Sequence, residues 1–317
     1  MSILLIDAGG TISSTPDADG KLAGGSAGLA GAGIERRIQA YTGLSEDMTL
    51  ADMAAVRDAV LAALGDDSVT GIVVAHGTDV MEETAFLIDL SLPLTKPVIV
   101  TGAMLPMSAE GSDAPQNLAQ ALLSAATPEL AGHGALVCFA GHLIPAASVY
   151  KHSTHALDGF GWRFGAAGGF DGASVIAPPP LPRHAPLPAV TPASGVAIIT
   201  LSGGEDGWLI EAALDAGAKG LVLAALGRGN GNPSVAAAVA RAVAAGLPVA
   251  VASRCPVGDT AGDYATGQRL ADAGAVFAGA LGPSQTRILM ACLLGAGVST
   301  ETINSQIALR GALLVQE

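Results

Sequence analysis

The sequence predicts an α/β protein in two parts. A larger amino-terminal, open, mostly parallel sheet flanked by helices is followed by a smaller carboxy-terminal parallel α/β domain. Three observations predict this. Short β-branched apolar runs alternate with helical patterns, which is how strand–helix–strand units are written. Glycine turns follow such runs at once, as where Gly71–Ala75 runs into Gly77. The stretch IAPPPLPRHAPLPAVTPA at 176–193 is too proline-rich for either element and reads as a semi-rigid connector. The expected domains are therefore 1–180 and 194–317, joined by a linker at 181–193.

Composition narrows the function. The chain has 317 residues, half of them apolar and 14% charged, so two sizeable cores are easily built. A formal charge of −13 and an aromatic content of 3% argue against nucleic acid and anionic membrane as partners. Cys138, Cys255 and Cys292 are far apart and lie in or beside apolar runs, which fits core packing and neither a disulfide framework nor a zinc site. His152 and His155 are close in sequence without an evident third ligand, a loop pair. No signal segment precedes the first strand and no uncharged apolar run reaches membrane-spanning length, so the expectation is a cytoplasmic protein.

Taken in order, Ile3–Ile6 is a strand core, and DAGGTISS sets the hydroxyl of Thr11 just beyond a double glycine. Two glycines let backbone approach a ligand closely, and a threonine there is a nucleophile awaiting activation. A nucleotide phosphate loop is the competing reading, but GxGxxG and GK[ST] are both missing. Residues 13–33, rich in Gly, Ala and Ser, read as a mobile loop, either a lid or a solvated connector. After Ser45-Glu46-Asp47-Met48, apolar positions at Met53, Val56, Val60 and Leu64 mark a helix closed by Gly65.

The central stretch is TGIVVAHGTDVMEETA, residues 70–85, read as strand, tight turn and helix. Asp79 is expected to cap that helix and Glu82 to complete a capping box. Strand VIVTGAM follows Lys96-Pro97, then a helix around Asn117–Ala126, then strand GALVCFA at 134–140. Lys151 is the only Lys or Arg between Lys96 and Arg163. Beyond the linker, GVAIITL, GLVLAAL, PVAVASR and AVFAG are strands of the second sheet, with GRGNGN at 227–232 a turn after one of them.

Gly9-Gly10-Thr11-Ile12 and His76-Gly77-Thr78-Asp79-Val80-Met81-Glu82-Glu83-Thr84-Ala85 together resemble the bacterial-type L-asparaginase/glutaminase family. The likeness continues through KPVIVTGAM, SDAPQNL, SVYKHST and GRGNGN and so covers nearly the whole chain. It implies hydrolysis of L-asparagine to aspartate and ammonia, with glutamine as a side substrate. The implied catalytic groups are Thr11 as nucleophile and Thr78, Asp79 and Lys151 as an activating triad. Ser45 and Glu46 would hold the substrate's α-carboxylate and α-amino groups, Ala103 would line the pocket, and Asn232 would reach the active site of a neighbouring subunit. The resemblance further implies a homodimer or homotetramer and no metal or organic cofactor. Backbone N–H groups near Gly10 or Thr78 are the candidates for the oxyanion hole.

The sequence departs from the family at identifiable places. The family's lid usually carries a tyrosine, and no tyrosine precedes Tyr41. Ala140-Gly141 and Ala147-Ser148 stand where the family usually has Asn-Asp and Arg-Asp ahead of the lysine. Two other readings therefore stay open: a relative that holds an amino acid and turns it over poorly, and a nucleotide-binding Rossmann-type protein. A transamidase subunit of the same architecture is a further, minor one.

Overall fold

The computed structural model describes residues 2–16, 22–23, 29, 36–312 and 314. Most of the expected lid, 13–33, lies outside these. In chain order the first unit contains β1 (Ser2–Ala8), β2 (Thr15–Pro16), β3 (Leu22–Ala23), β4 (Arg37–Gln39), α1 (Leu50–Leu64), β5 (Val69–His76), α2 (Met81–Ser91), β6 (Val98–Thr101), α3 (Ala114–Ala125), β7 (Ala135–Phe139), β8 (His142–Pro145), β9 (Val149–Lys151), β10 (Phe160–Trp162), β11 (Gly169–Asp171) and β12 (Ser174–Ile176). The second contains β13 (Val196–Thr200), α4 (Trp208–Asp215), β14 (Gly220–Ala225), α5 (Pro233–Ala244), β15 (Val249–Ser253), α6 (Ala265–Asp272), β16 (Val276–Phe277), α7 (Pro283–Gly295) and α8 (Thr300–Ala312).

Main-chain contacts divide the chain into residues 1–162 with 166–189, and residues 163–165 with 190–317. The first unit is built on a six-stranded sheet in the order β4-β1-β5-β6-β7-β8. It is parallel except for β8, which returns antiparallel on β7. That return is a two-residue turn with Ala140 at φ +48° and Gly141 at φ +83°. Both values are positive, as a turn matched to strand twist requires, and Ala140 is the one non-glycine among the described residues with positive φ. The departure from Asn-Asp at this point is thus a hairpin turn in which Ala140 occupies strained backbone.

Strand order also locates the crevice. From β1 the chain goes to β4 on one side and then to β5 on the other, so the winding reverses between β1 and β5. Ligands of open α/β sheets bind beyond the carboxyl ends of the strands at such a reversal. Register keeps those ends level: Ala8 pairs with His76, and Ala75 with Thr101. The sheet's central strands are buried on both faces, packing Leu5, Val73, Ile99 and Leu136 against Leu118 and Ala121 of α3.

The helices form where the sequence places them, with caps that explain their limits. Thr49 caps α1, accepting from the Asp52 N–H while Asp52 bonds back to Thr49, and Gly65 closes it. The expected capping box on α2 does not form. Its N-cap is Val80, with no side-chain bond, because Asp79 and Glu82 both turn to Lys151 instead. For Asp79 the partner is the lysine ammonium, a stronger one for a carboxylate than a neutral N–H; Glu82 instead accepts the backbone N–H of Lys151.

The second unit is a four-stranded parallel sheet in sequence order, β13-β14-β15-β16. Its core packs Leu221, Leu223, Val249 and Val251 against Val235 and Val239 of α5. All three cysteines are free: Cys138 and Cys292 are buried, Cys255 partly so. Burial pushes the Cys138 thiol up to about 12, leaving it inert. No helix among the described residues is long and apolar enough to cross a membrane.

Candidate active site

Three turns meet at the carboxyl ends of β1 and β5. The first is Gly9-Gly10-Thr11, with both glycines at positive φ (+71° and +80°). The second is Gly77-Thr78-Asp79. A Cβ on Gly10 would lie 2.1 Å from the Gly77 Cα, so only glycine lets these two backbones touch. The third is the 3-10 turn Ser45–Asp47, where a Cβ on Gly77 would meet the Ser45 hydroxyl at 2.5 Å. The glycines are what bring Thr11, Thr78 and Ser45 to one place.

Ser45 is buried, and its hydroxyl oxygen accepts the Asp79 N–H at 3.1 Å. With that bond made, its own hydrogen is directed elsewhere and can be donated to a carboxylate. Glu46 in the same turn is exposed and offers a carboxylate for an ammonium. Lys151, at the end of β9, donates to Thr78 Oγ1 at 2.8 Å and to Asp79 Oδ1 at 2.6 Å. Its backbone N–H donates to Glu82 Oε2 at 2.7 Å. Glu82 therefore sets the position of the lysine from the first turn of α2, a role the capping-box pattern concealed.

Other expectations change. Gly10 N–H is not available to an oxyanion, because it donates to Gly43 O at 3.1 Å. Ala103 is fully buried within the apolar cluster beneath the sheet, so its side chain packs and any contact with a ligand falls to its main chain. The turn it occupies is held by Asp113, whose carboxylate accepts the Met104 and Leu105 N–H groups at 2.9 and 3.0 Å. Tyr41 lies over Gly43, with its hydroxyl donating to Leu44 O at 3.2 Å. Burial, with Asp52, Asp47 and Glu46 nearby, pushes the phenol above its usual value.

Asn232 belongs to the second unit and caps α5: its Oδ1 accepts the Val235 N–H and its Nδ2 donates to Glu205 O. His152 lines a cleft of about 500 Å³ with His142, Tyr150, Asp158, Phe160 and Trp162. Among the described residues no group of three or more His, Cys, Asp or Glu is placed to hold a metal. The turn after β1 leads into β2 and not into a helix, so it lacks the helix N-terminus on which a phosphate loop depends.

His76, the last residue of β5, is completely buried. Its Nδ1 donates to Gly77 O at 2.7 Å, which leaves Nε2 as the acceptor, without a partner among the described residues. Burial pushes its pKa from 6.5 down to about 4, against the smaller opposite effect of the Gly77 bond. The unfolded chain therefore takes up this proton near 6.5 while the folded one resists it until about 4. The stability involved is fully present above 6.5 and declines by about 3 kcal/mol as pH falls to about 4. His76→Gln is expected to flatten that decline. Urea midpoints at neutral and acid pH measure it, and an equal fall in both proteins would assign the loss to other groups.

Comparison with known proteins gives matches along nearly the whole chain. The family model "Asparaginase, N-terminal" matches residues 2–178, and "Glutaminase/Asparaginase C-terminal domain" matches residues 195–306. A "Probable L-asparaginase" of Deinococcus radiodurans is 34% identical over 316 residues, covering 95% of each chain. The "L-asparaginase" of Bacillus licheniformis is 29% identical over 92% of this chain and 95% of its own. The solved thermostable L-asparaginase from Thermococcus kodakarensis superposes with a TM-score of 0.87 over the whole of both chains at 26% identity.

Proposed function

The chain belongs to the asparaginase family of amidohydrolases, and we propose from that premise that it hydrolyses L-asparagine to L-aspartate and ammonia through Thr11, with glutamine as a poorer substrate. One observation carries the reading: Lys151 Nζ lies within hydrogen-bond reach of both Thr78 and Asp79, on a turn in backbone contact with the one that bears Thr11.

In this reading Ser45 donates to the substrate's α-carboxylate and Glu46 accepts from its α-ammonium. The Thr11 oxygen attacks the side-chain amide carbon and its proton goes to the nitrogen, which departs as ammonia when the C–N bond breaks. Water then attacks the acyl–threonine ester; Lys151, acting through Thr78, takes the water's proton and passes it to the Thr11 oxygen as the ester C–O bond breaks and aspartate is released. Asp79 steadies the lysine as it gains charge. The Asn232 assignment enters only through a second copy of the chain, in a homodimer or homotetramer.

Asparagine and glutamine differ by one methylene, a difference that a snug pocket discriminates by about 1–3 kcal/mol. Glu46 fixes the α-ammonium of both, so length selection must come from whatever closes over the span from Glu46 to Thr11. The expected outcome is a larger kcat/KM for asparagine, a high KM, and measurable glutaminase activity. Ammonia release from both amides tests it. A glutamine preference overturns the substrate assignment. Stabilisation by aspartate with no turnover of either amide would make the chain an amino-acid-binding relative instead.

A further inference from the structure

Of the buried charged residues that the mechanism leaves unused, one lies beside the turn that bears Thr11. Asp7, the penultimate residue of β1, has no exposed surface, yet its carboxylate meets three donors. Its Oδ1 accepts the Gly9 N–H at 2.9 Å and the Ser13 hydroxyl at 2.7 Å, one on each side of Thr11. Its Oδ2 pairs with the guanidinium of Arg37 on β4. Meanwhile the Asp7 carbonyl accepts the Ala40 and Tyr41 N–H groups at 2.8 and 3.3 Å, fastening the segment that runs on to Ser45 and Glu46.

Such a group is costly to bury. A carboxylate in a protein interior must be paired and hydrogen-bonded, and a packed apolar residue at the same place often serves stability as well or better. Its donors here are specific: both Oδ1 bonds go to the loop that presents the nucleophile. Gly10 N–H anchors the near side of that loop on Gly43 O at 3.1 Å, but beyond Gly10 the other bonds among the described residues are short-range, with Ser14 Oγ on Gly10 O at 2.8 Å and Ser13 N–H on Gly10 O at 3.1 Å. Two glycines at positive φ are permissive, so without an external clamp Thr11 would sample other positions.

We propose that Asp7, with Ser13 and held in turn by Arg37, is a positioning residue for the nucleophile: it clamps the Gly9–Ser13 turn from both sides and so fixes where the Thr11 hydroxyl points. This rests on the reading of Thr11 given above. Displacing a reacting group by an ångström costs up to about 10²-fold in rate. Asp7→Asn retains the shape but sets an amide where Oδ2 faced Arg37, so kcat should fall by about tenfold or more, with KM for asparagine within about twofold of the parent. Ser13→Ala, which keeps the charge pair, should show the same split with a smaller loss, and it carries the test if Asp7→Asn fails to fold.

Two readouts separate clamping from general destabilisation. Rates are counted per molecule competent to bind aspartate, so that partly unfolded material does not mimic a kcat effect. Threonine methyl NMR, with the Thr11 resonance identified by its loss in Thr11→Ala, reports the turn without requiring turnover. A shifted Thr11 methyl in Ser13→Ala or Asp7→Asn, with Thr70 unmoved and kcat lowered, supports the proposal. An unmoved Thr11 methyl, unchanged kcat per competent molecule, or a loss confined to KM overturns it. If the parent protein hydrolyses neither amide, the proposed function fails, while the methyl shift alone still decides whether Asp7 clamps the turn.

Discussion

Thr11→Ala is expected to lose hydrolysis by at least about 10³-fold while retaining aspartate binding, since an essential nucleophile has no substitute in the site. The fold should tolerate the change. Thr11 is only half-buried, and the turn around it is held by Asp7, Ser13, Ser14 and the Gly10–Gly43 backbone bond, none of which uses the threonine side chain. Ser45 and Glu46, which would hold the α-groups, sit on a different turn. The informative measurements are therefore kcat for asparagine and calorimetric binding of aspartate in the same preparation. Turnover near the parent's would remove Thr11 from the chemistry and make Thr78 the candidate for first attack.

Lys151→Met is expected to lower kcat by about 10²–10⁴-fold, the usual cost of losing a general base. Methionine reaches nearly as far as lysine, and the backbone bond from residue 151 to Glu82 survives the substitution, so β9 should keep its place. What disappears is the donor to Thr78 Oγ1 and the ion pair with Asp79. Asp79 is largely solvent-facing, at 53% side-chain exposure, so losing its partner strands little buried charge and stability should change modestly. A kcat within about threefold of the parent, in a protein that binds aspartate normally, would place Lys151 outside the reaction.

Much of this site is legible in one dimension because its parts are local. Each of the two threonine turns is a strand, one or two glycines and a hydroxyl in unbroken sequence, and hydrophobic periodicity identifies the strands that carry them. The capping box on α2 misled for an instructive reason. Asp79 and Glu82 have the spacing of a cap, but spacing states only what a side chain can reach nearby; it carries no trace of an ammonium 72 residues, or of a backbone N–H 69 residues, further along the chain. The same limit hid Asp7. An aspartate two residues ahead of a glycine turn is a visible turn signal, yet its bond to Arg37 spans 30 residues and its duty to the Thr11 turn depends on β4 lying beside β1.

The sequence by itself determined the α/β class, the parallel strands with their glycine turns, and the family whose chemistry is proposed for Thr11, Thr78, Asp79 and Lys151. Composition, periodicity and turn preference are properties of neighbouring residues, and they survive without knowledge of the fold. Only the tertiary structure decided which polar groups remain free for a substrate. It turned Gly10 N–H toward Gly43, Ala103 into the core, Asn232 into a helix cap, and Glu82 and Asp79 toward one lysine. A buried donor or acceptor must find a partner when water is excluded. That partner is chosen by which strand ends the sheet brings level, a matter of register and packing that no local stretch of sequence contains.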